Sequence, residues 1–233
     1  MSSIAVSGGL NRSAAIYQSV VGKKIIMAVT GFILFGFILG HMAGNLQIFL
    51  PPGPDGVAAL DHYAEKLQAL GPLLWLVRGV MLVAVCLPIL MAFQLWLMKR
   101  QARPLDYLKK ASTVSTYASR TMYVSGPLVL LYLIYHLLQF TFDTAAPPGA
   151  VEGQVRHNLI LAFQNEYVSF VYIVANLLLA THLYHGVWSM FQTLGIGHPK
   201  YAWWLKLVAK AFAFVVGIGF CSVPIGVLTG LVK

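Results

Sequence analysis

A chain of 233 residues with 58% hydrophobic side chains, 10% charged ones and a mean hydropathy of +0.75 carries more apolar surface than a soluble core of that length can hide, so it is read as an integral membrane protein. The net charge of +9 does not point to nucleic acid, because the basic residues are spread among short loops beside apolar runs. Cys86 and Cys221 lie in apolar runs without Cys-x-x-Cys spacing, which excludes a disulfide framework and a zinc or iron–sulfur site.

Residues 1–22 are polar to mildly amphipathic, with no short apolar stretch followed by a small-residue cleavage site, so no cleavable signal peptide is expected. Ala14, Ile16, Tyr17, Val20 and Val21 line one side of a predicted surface helix suited to a partner or a lipid surface. Apolar runs follow at 25–50, 73–98, 123–142, 168–191 and 205–228, each near or above the ~20 residues that cross a bilayer. The expected fold is therefore an all-α bundle of five transmembrane helices forming one domain, with its termini on opposite sides. Arg12, Lys23, Lys24, Lys99, Arg100, Arg103, Lys109, Lys110, Arg120, Lys200, Lys206 and Lys210 fall on one side with Asp106 as the sole acid. The other side carries Lys66, Arg78, Arg156 and Lys233 against Asp55, Asp61, Glu65, Asp143, Glu152 and Glu166, so the positive-inside rule puts the N-terminus in the cytoplasm. The outer loops 51–72 and 143–166 hold Pro-Pro-Gly turn signals, and 57–70 reads as an amphipathic helix on the outer face.

Histidines inside the spans carry the functional signal. Span one contains Gly36, Gly40 and Gly44 at every fourth residue, which leaves one side without bulk for a helix or a flat ligand, and His41 beside it. At ~1.5 Å per residue, His41 lies roughly 24 Å and His136 roughly 21 Å from the inner ends of spans one and three. They share one level near the outside, and two imidazoles facing each other across a bundle suit a six-coordinate haem iron. His182 runs the other way and lies roughly 21 Å below the outer end of span four, at an inner level. The window where span two would supply its partner reads Pro88-Ile89-Leu90-Met91-Ala92. Met91 is a candidate axial thioether or else a packing methionine. His185, three residues after His182 on the same face, is a competing ligand, a propionate partner or a hydrogen-bonding core residue.

Arg78, about one turn inside span two, either pairs with a propionate of an outer haem or snorkels to the interface. Lys23, Lys24 and Arg120 serve an inner haem likewise, or simply anchor the inner face. His62, His157 and His198 fall in loops or at boundaries, and His62 with Glu65 forms a candidate proton shuttle at the outer mouth. For a quinone, Lys24, Trp188 and Gln192 line the inner mouth and Glu65 the outer one. No carboxylate sits at depth in span four, so a buried acidic relay through it is not evident.

Several motifs in order resemble one family along nearly the whole chain. They are GKKIIMAVTG at 22–31, GHMAGNL at 40–46, PLLWLVR at 72–78, ARPLDY at 102–107, SRTM at 119–122 and HLYHGVW at 182–188. The chain resembles the five-helix, single-anchor cytochrome b subunit of succinate:quinone oxidoreductases and fumarate reductases. The resemblance implies a multi-pass protein of a bacterial cytoplasmic membrane holding two stacked b haems. The outer haem is then held by His41 and His136, and the inner one by His182 with a histidine from span two. It also implies a docked iron–sulfur subunit, a flavoprotein subunit that carries the succinate or fumarate chemistry, and a quinone, most often menaquinone. Pro88 stands where the family has its span-two histidine. Either one haem is missing, or Met91 or His185 completes the inner site, or that iron is five-coordinate; two haems are expected, since the rest of the inner site is retained. A cytochrome b of another quinone-linked dehydrogenase and a haem-free anchor are the rival readings.

Overall fold

A computed structural model describes residues 10–102 and 117–233, and side chains within 14–102 and 122–233. Arg103, Asp106, Lys109 and Lys110 lie outside the described residues, as do the side chains of Arg12 and Arg120. Among the described residues there are eight α-helices and no strand: α1 (Leu10–Gln18), α2 (Val20–Asn45), α3 (Ala59–Gln68), α4 (Pro72–Ala102), α5 (Tyr117–Phe140), α6 (Val155–Gln164), α7 (Glu166–Thr193) and α8 (Ala202–Leu228). Helices α2, α4, α5, α7 and α8 are long and apolar enough to cross a membrane, which matches the five expected spans.

Local sequence explains where the chain breaks. Ser19 leaves the helical region between α1 and α2, and its hydroxyl accepts from the Gly22 amide at 2.9 Å, capping α2. Asn165 ends α6 and caps α7 in the same way, accepting from the amides of Tyr167 and Val168. The expected helix within 57–70 is present as α3. The loop 143–166, which shows only turn signals in sequence, also contains α6. Its Leu159, Ile160, Ala162 and Phe163 are buried, a ten-residue face that is too short to stand out as a period and gains its stability from docking.

Burial is uneven among the spans. In α8, 56% of the most apolar window is buried, against 6% in α4, so α8 is the central post of the bundle and α4 a peripheral helix. Gly217 and Gly226 let α8 approach its neighbours: an added Cβ would stand 3.0 Å from the Ala180 methyl and 2.6 Å from the Phe49 ring. Helices α7 and α8 form the main packed pair, α7 also packs on α5 and α2, and α4 packs chiefly on α2. At the end holding the C-terminus, α3 and α6 close over the bundle, burying Ile48, Leu60, Leu159, Ile160, Phe163, Val223, Val227 and Val232 together. Asp61 Oδ1 accepts from the Arg156 amide at 2.8 Å and so caps α6 from another helix. At the opposite end, Tyr17 of α1 receives a hydrogen bond from Gln94 of α4 at 3.2 Å, while Ile16, Val20 and Val21 remain exposed.

Candidate functional site

The paired histidines expected from depth alone meet in the folded chain. The His41 and His136 rings are centred 5.7 Å apart with their planes at 84°. Two metal–imidazole bonds of about 2.0–2.1 Å would separate the bonded nitrogens by roughly 4 Å, with the ring centres farther apart than the nitrogens. Helices α2 and α5, which carry the two rings, make at most marginal backbone contact, so side chains alone bridge the slot between them. Phe37 stacks on His41 at 5.4 Å and 10°, Phe220 lies 5.8 Å from it, and Tyr132, Phe140 and Tyr172 surround His136. Asn45 sits one turn beyond His41, its amide donating to the His41 carbonyl at 2.8 Å and lying 3.4 Å from Nε2.

One fully buried polar atom in this cluster has no hydrogen-bond partner among the described residues. His136 Nδ1 is fully buried without a hydrogen bond, a condition that costs about 1–3 kcal/mol. An added Cβ at Gly36 or Gly40 would meet no atom within 4 Å, so the α2 surface beside His41 is open to a flat group. Gly44 departs from the expected stripe, because Tyr63 of α3 covers it. Among the described residues no three His, Cys, Asp or Glu side chains converge on one point. With two imidazoles and no third donor at this level, the residues present would suit an iron arriving in its own macrocycle better than a bare metal ion.

The second level is built differently. The His182 ring faces α5, with Nδ1 3.4 Å from Ser125 Oγ and Cε1 3.9 Å from where a Cβ on Gly126 would stand. Two more polar pairs join the same two helices: Tyr132 donates to Asn176 Oδ1 at 3.1 Å, and Tyr172 donates to Gln139 Oε1 at 2.7 Å. Ser125, Asn176 and Gln139 are buried and were not singled out from sequence. Their signal is the polar stripe Ser125, Tyr132, His136, Gln139 at helical spacing on an otherwise apolar span. Met91 is 1% exposed and, with Ala84 one heptad earlier, makes up the buried residues of α4, the helix that packs chiefly on α2. His185 is half-buried on α7, and Pro88 is half-buried on α4.

The remaining candidates spread over both ends. Lys23 is buried, its ammonium donating to the Tyr17 carbonyl at 2.9 Å and lying 4.4 Å from the Tyr17 ring, while Lys24 and Gln192 are exposed. Trp188 is half-buried, with Lys206 Nζ 5.2 Å from its ring. Arg78 is exposed over Trp75 at 4.8 Å and has no carboxylate partner among the described residues. His157 and His198 are exposed.

At the C-terminal end, His62 Nε2 lies 2.8 Å from Asp55 Oδ2 and its Nδ1 3.4 Å from Glu65 Oε2. His62 borders an open depression of about 500 Å³ with Gln47, Pro51, Gly53, Ala59, Tyr63 and Lys66. The hydrogen bond to Asp55 raises the His62 pKa above the ordinary imidazole value, with desolvation opposing and the charges of Asp55 and Glu65 adding to the rise. Asp55 is lowered, first by that same hydrogen bond and then by the Val57 amide. A raised imidazole contributes its hold fully below about 6.5 and loses it as pH climbs through the raised value; a lowered carboxylate contributes above about 3.9 and loses it as pH falls. The clasp between the loop and α3 is accordingly tightest between those limits. Asp55→Asn is expected to shift the His62 midpoint down towards the ordinary imidazole value in an NMR titration of the detergent-solubilised chain, and an unmoved midpoint would contradict this assignment.

The fold and site together define a five-span helical membrane protein with a half-buried pair of histidine rings in edge-on contact. Comparison with protein-family models, curated proteins and solved structures finds no match for this chain.

Proposed function

We propose that this chain is the membrane cytochrome b subunit that anchors a succinate:quinone oxidoreductase or fumarate reductase and passes electrons between its iron–sulfur subunit and a membrane quinone. The observation that carries the proposal is the His41–His136 pair, 5.7 Å apart in an aromatic cage with an unpartnered buried nitrogen. The family resemblance of the motifs supports it. When bound, a b haem supplies one-electron transfer within the bundle. His41 and His136 would hold it, Phe37, Tyr132, Phe140 and Phe220 would keep water from it, and Arg78 is the candidate partner for its propionates.

The N-terminus lies in the cytoplasm on this reading, and the basic end of the bundle receives the iron–sulfur subunit, with the flavoprotein subunit beyond it doing the succinate or fumarate chemistry. Arg120 and Lys23 belong to that end. Lys24, Trp188 and Gln192 are the candidate contacts for a quinone, a menaquinone by the resemblance, where electrons arrive. Glu65, beside His62, is the candidate at the opposite mouth.

The test is the absorbance and metal content of the purified complex. A reduced b-type α-band, lost in His41→Ala, together with covalent flavin on a co-purifying subunit, is the expected result. No α-band in the wild-type chain refutes the proposal, and nickel or molybdenum in place of flavin reassigns the cytochrome to a hydrogenase or formate dehydrogenase.

A further inference from the structure

The two histidine levels differ in what their rings face. At the His41–His136 level, two rings on separate helices meet edge-on, 5.7 Å apart, between helices with at most marginal backbone contact. At the His182 level no aromatic ring pairs with His182 among the described residues. By the resemblance, the position on α4 that would carry one is Pro88, which has neither an imidazole nor a thioether. Met91 is sealed with Ala84 as the buried part of a helix that packs chiefly on α2 and not on α7. His185 leaves α7 three residues after His182, on the same side of the same helix. Axial ligands must approach a haem iron from opposite faces, so two rings one turn apart on one helix do not make such a pair.

His182 also has an occupation of its own. The pairs His182–Ser125, Asn176–Tyr132 and Tyr172–Gln139 climb the α5–α7 seam in antiparallel order, with His182 as the rung nearest the N-terminal end of the bundle. Each rung joins a polar side chain of α7 to one of α5 where the surroundings are apolar. Ser125, Gln139 and Asn176 are 4%, 3% and 3% exposed; Gln139 and Asn176 would be left wanting a side-chain partner if the opposite number were removed, and Ser125 would keep only its weak contact to Met122 Sδ at 3.9 Å.

We infer that the chain carries a single haem, held by His41 and His136, and that His182 is a structural rung joining α7 to Ser125 of α5. The inference rests on the cytochrome reading above. The residues at the second level do not fit a second haem, and this chain is thereby set apart from the two-haem arrangement that its motifs resemble.

The experiment measures haem per polypeptide by pyridine haemochrome, with a redox titration counting midpoints, on the intact complex and on His41→Ala, His182→Ala and His182→Gln chains. The expected ratio is one in the wild type with a single midpoint, one in both His182 variants, and zero in His41→Ala. His182→Gln keeps a polar partner for Ser125 and is expected to melt near the wild-type temperature. His182→Ala is expected to melt lower, and adding Ser125→Ala to it to bring little further loss, as for two halves of one contact. A wild-type ratio of two that falls to one in His182→Gln overturns the inference and leaves the cytochrome reading standing. A wild-type ratio of zero overturns both.

Discussion

His136→Leu is expected to abolish haem binding while making the haem-free chain more stable. The two effects have one origin. His136 Nδ1 is buried with no hydrogen bond in the folded chain, and an unsatisfied buried polar group costs about 1–3 kcal/mol, whereas an apolar side chain of similar volume in the same place does not. Leucine would pack against Tyr132, Phe140 and Tyr172, which already surround the ring. On the proposed reading the destabilising nitrogen sits where it would serve a ligand, and haem that binds the folded chain and not the unfolded one would repay the cost. The measurement compares thermal unfolding of haem-free wild type and His136→Leu in the same detergent, alongside their haem content. A variant that loses haem and also unfolds earlier than the haem-free wild type would show that the imidazole makes a stabilising protein contact, and would remove the main reason for assigning a ligand to it.

The spans were legible because membrane-crossing length is a property of one continuous apolar stretch, and α2, α4, α5, α7 and α8 each show it without reference to any other element. The level shared by His41 and His136 was legible for a related reason: helical rise converts position along each span into depth, and depth is common to all spans. Sideways direction is not. Nothing in the order of residues tells which neighbour a ring meets, so the turn of His182 towards Ser125 rather than towards α4 emerged only with the packing of α7 on α5. The polar ladder escaped notice for the same reason, although Asn176 and Gln139 are conspicuous in apolar spans once polar groups are expected to come in pairs. Helix α6 was hidden by its brevity. Its four buried residues fold against α7, α8 and α3 and present too few turns to declare a period. The glycine stripe was legible as bare backbone, but the sequence does not say which glycine is covered.

That division of the stripe yields a pair of substitutions with opposite signs. At Gly40 an added methyl meets no atom within 4 Å, while at Gly44, one turn on, it would lie 2.6 Å from Cε1 and 2.9 Å from Cζ of Tyr63. Gly40→Ala should therefore be neutral or stabilising, by at most the ~1 kcal/mol that alanine gains over glycine in a helix. Gly44→Ala should destabilise by about 1–3 kcal/mol, the usual cost of an overpacked contact, because a ring atom on a docked helix cannot swing aside as a flexible chain end does. The damage is expected to be local. Tyr63 is a neighbour of Leu60, which is 3% exposed in the core at this end, and of Asp61, which caps α6, so pushing the ring outward lifts α3 and loosens the cover over the C-terminal end of the bundle. Hydrogen exchange should accordingly rise in α3 and at the start of α6 in Gly44→Ala and stay at the wild-type level in Gly40→Ala, with the His41–His136 haem retained in the former, since α3 does not contribute to that cage. Equal protection of α3 in the two variants would mean that Tyr63 does not hold the cover down through Gly44.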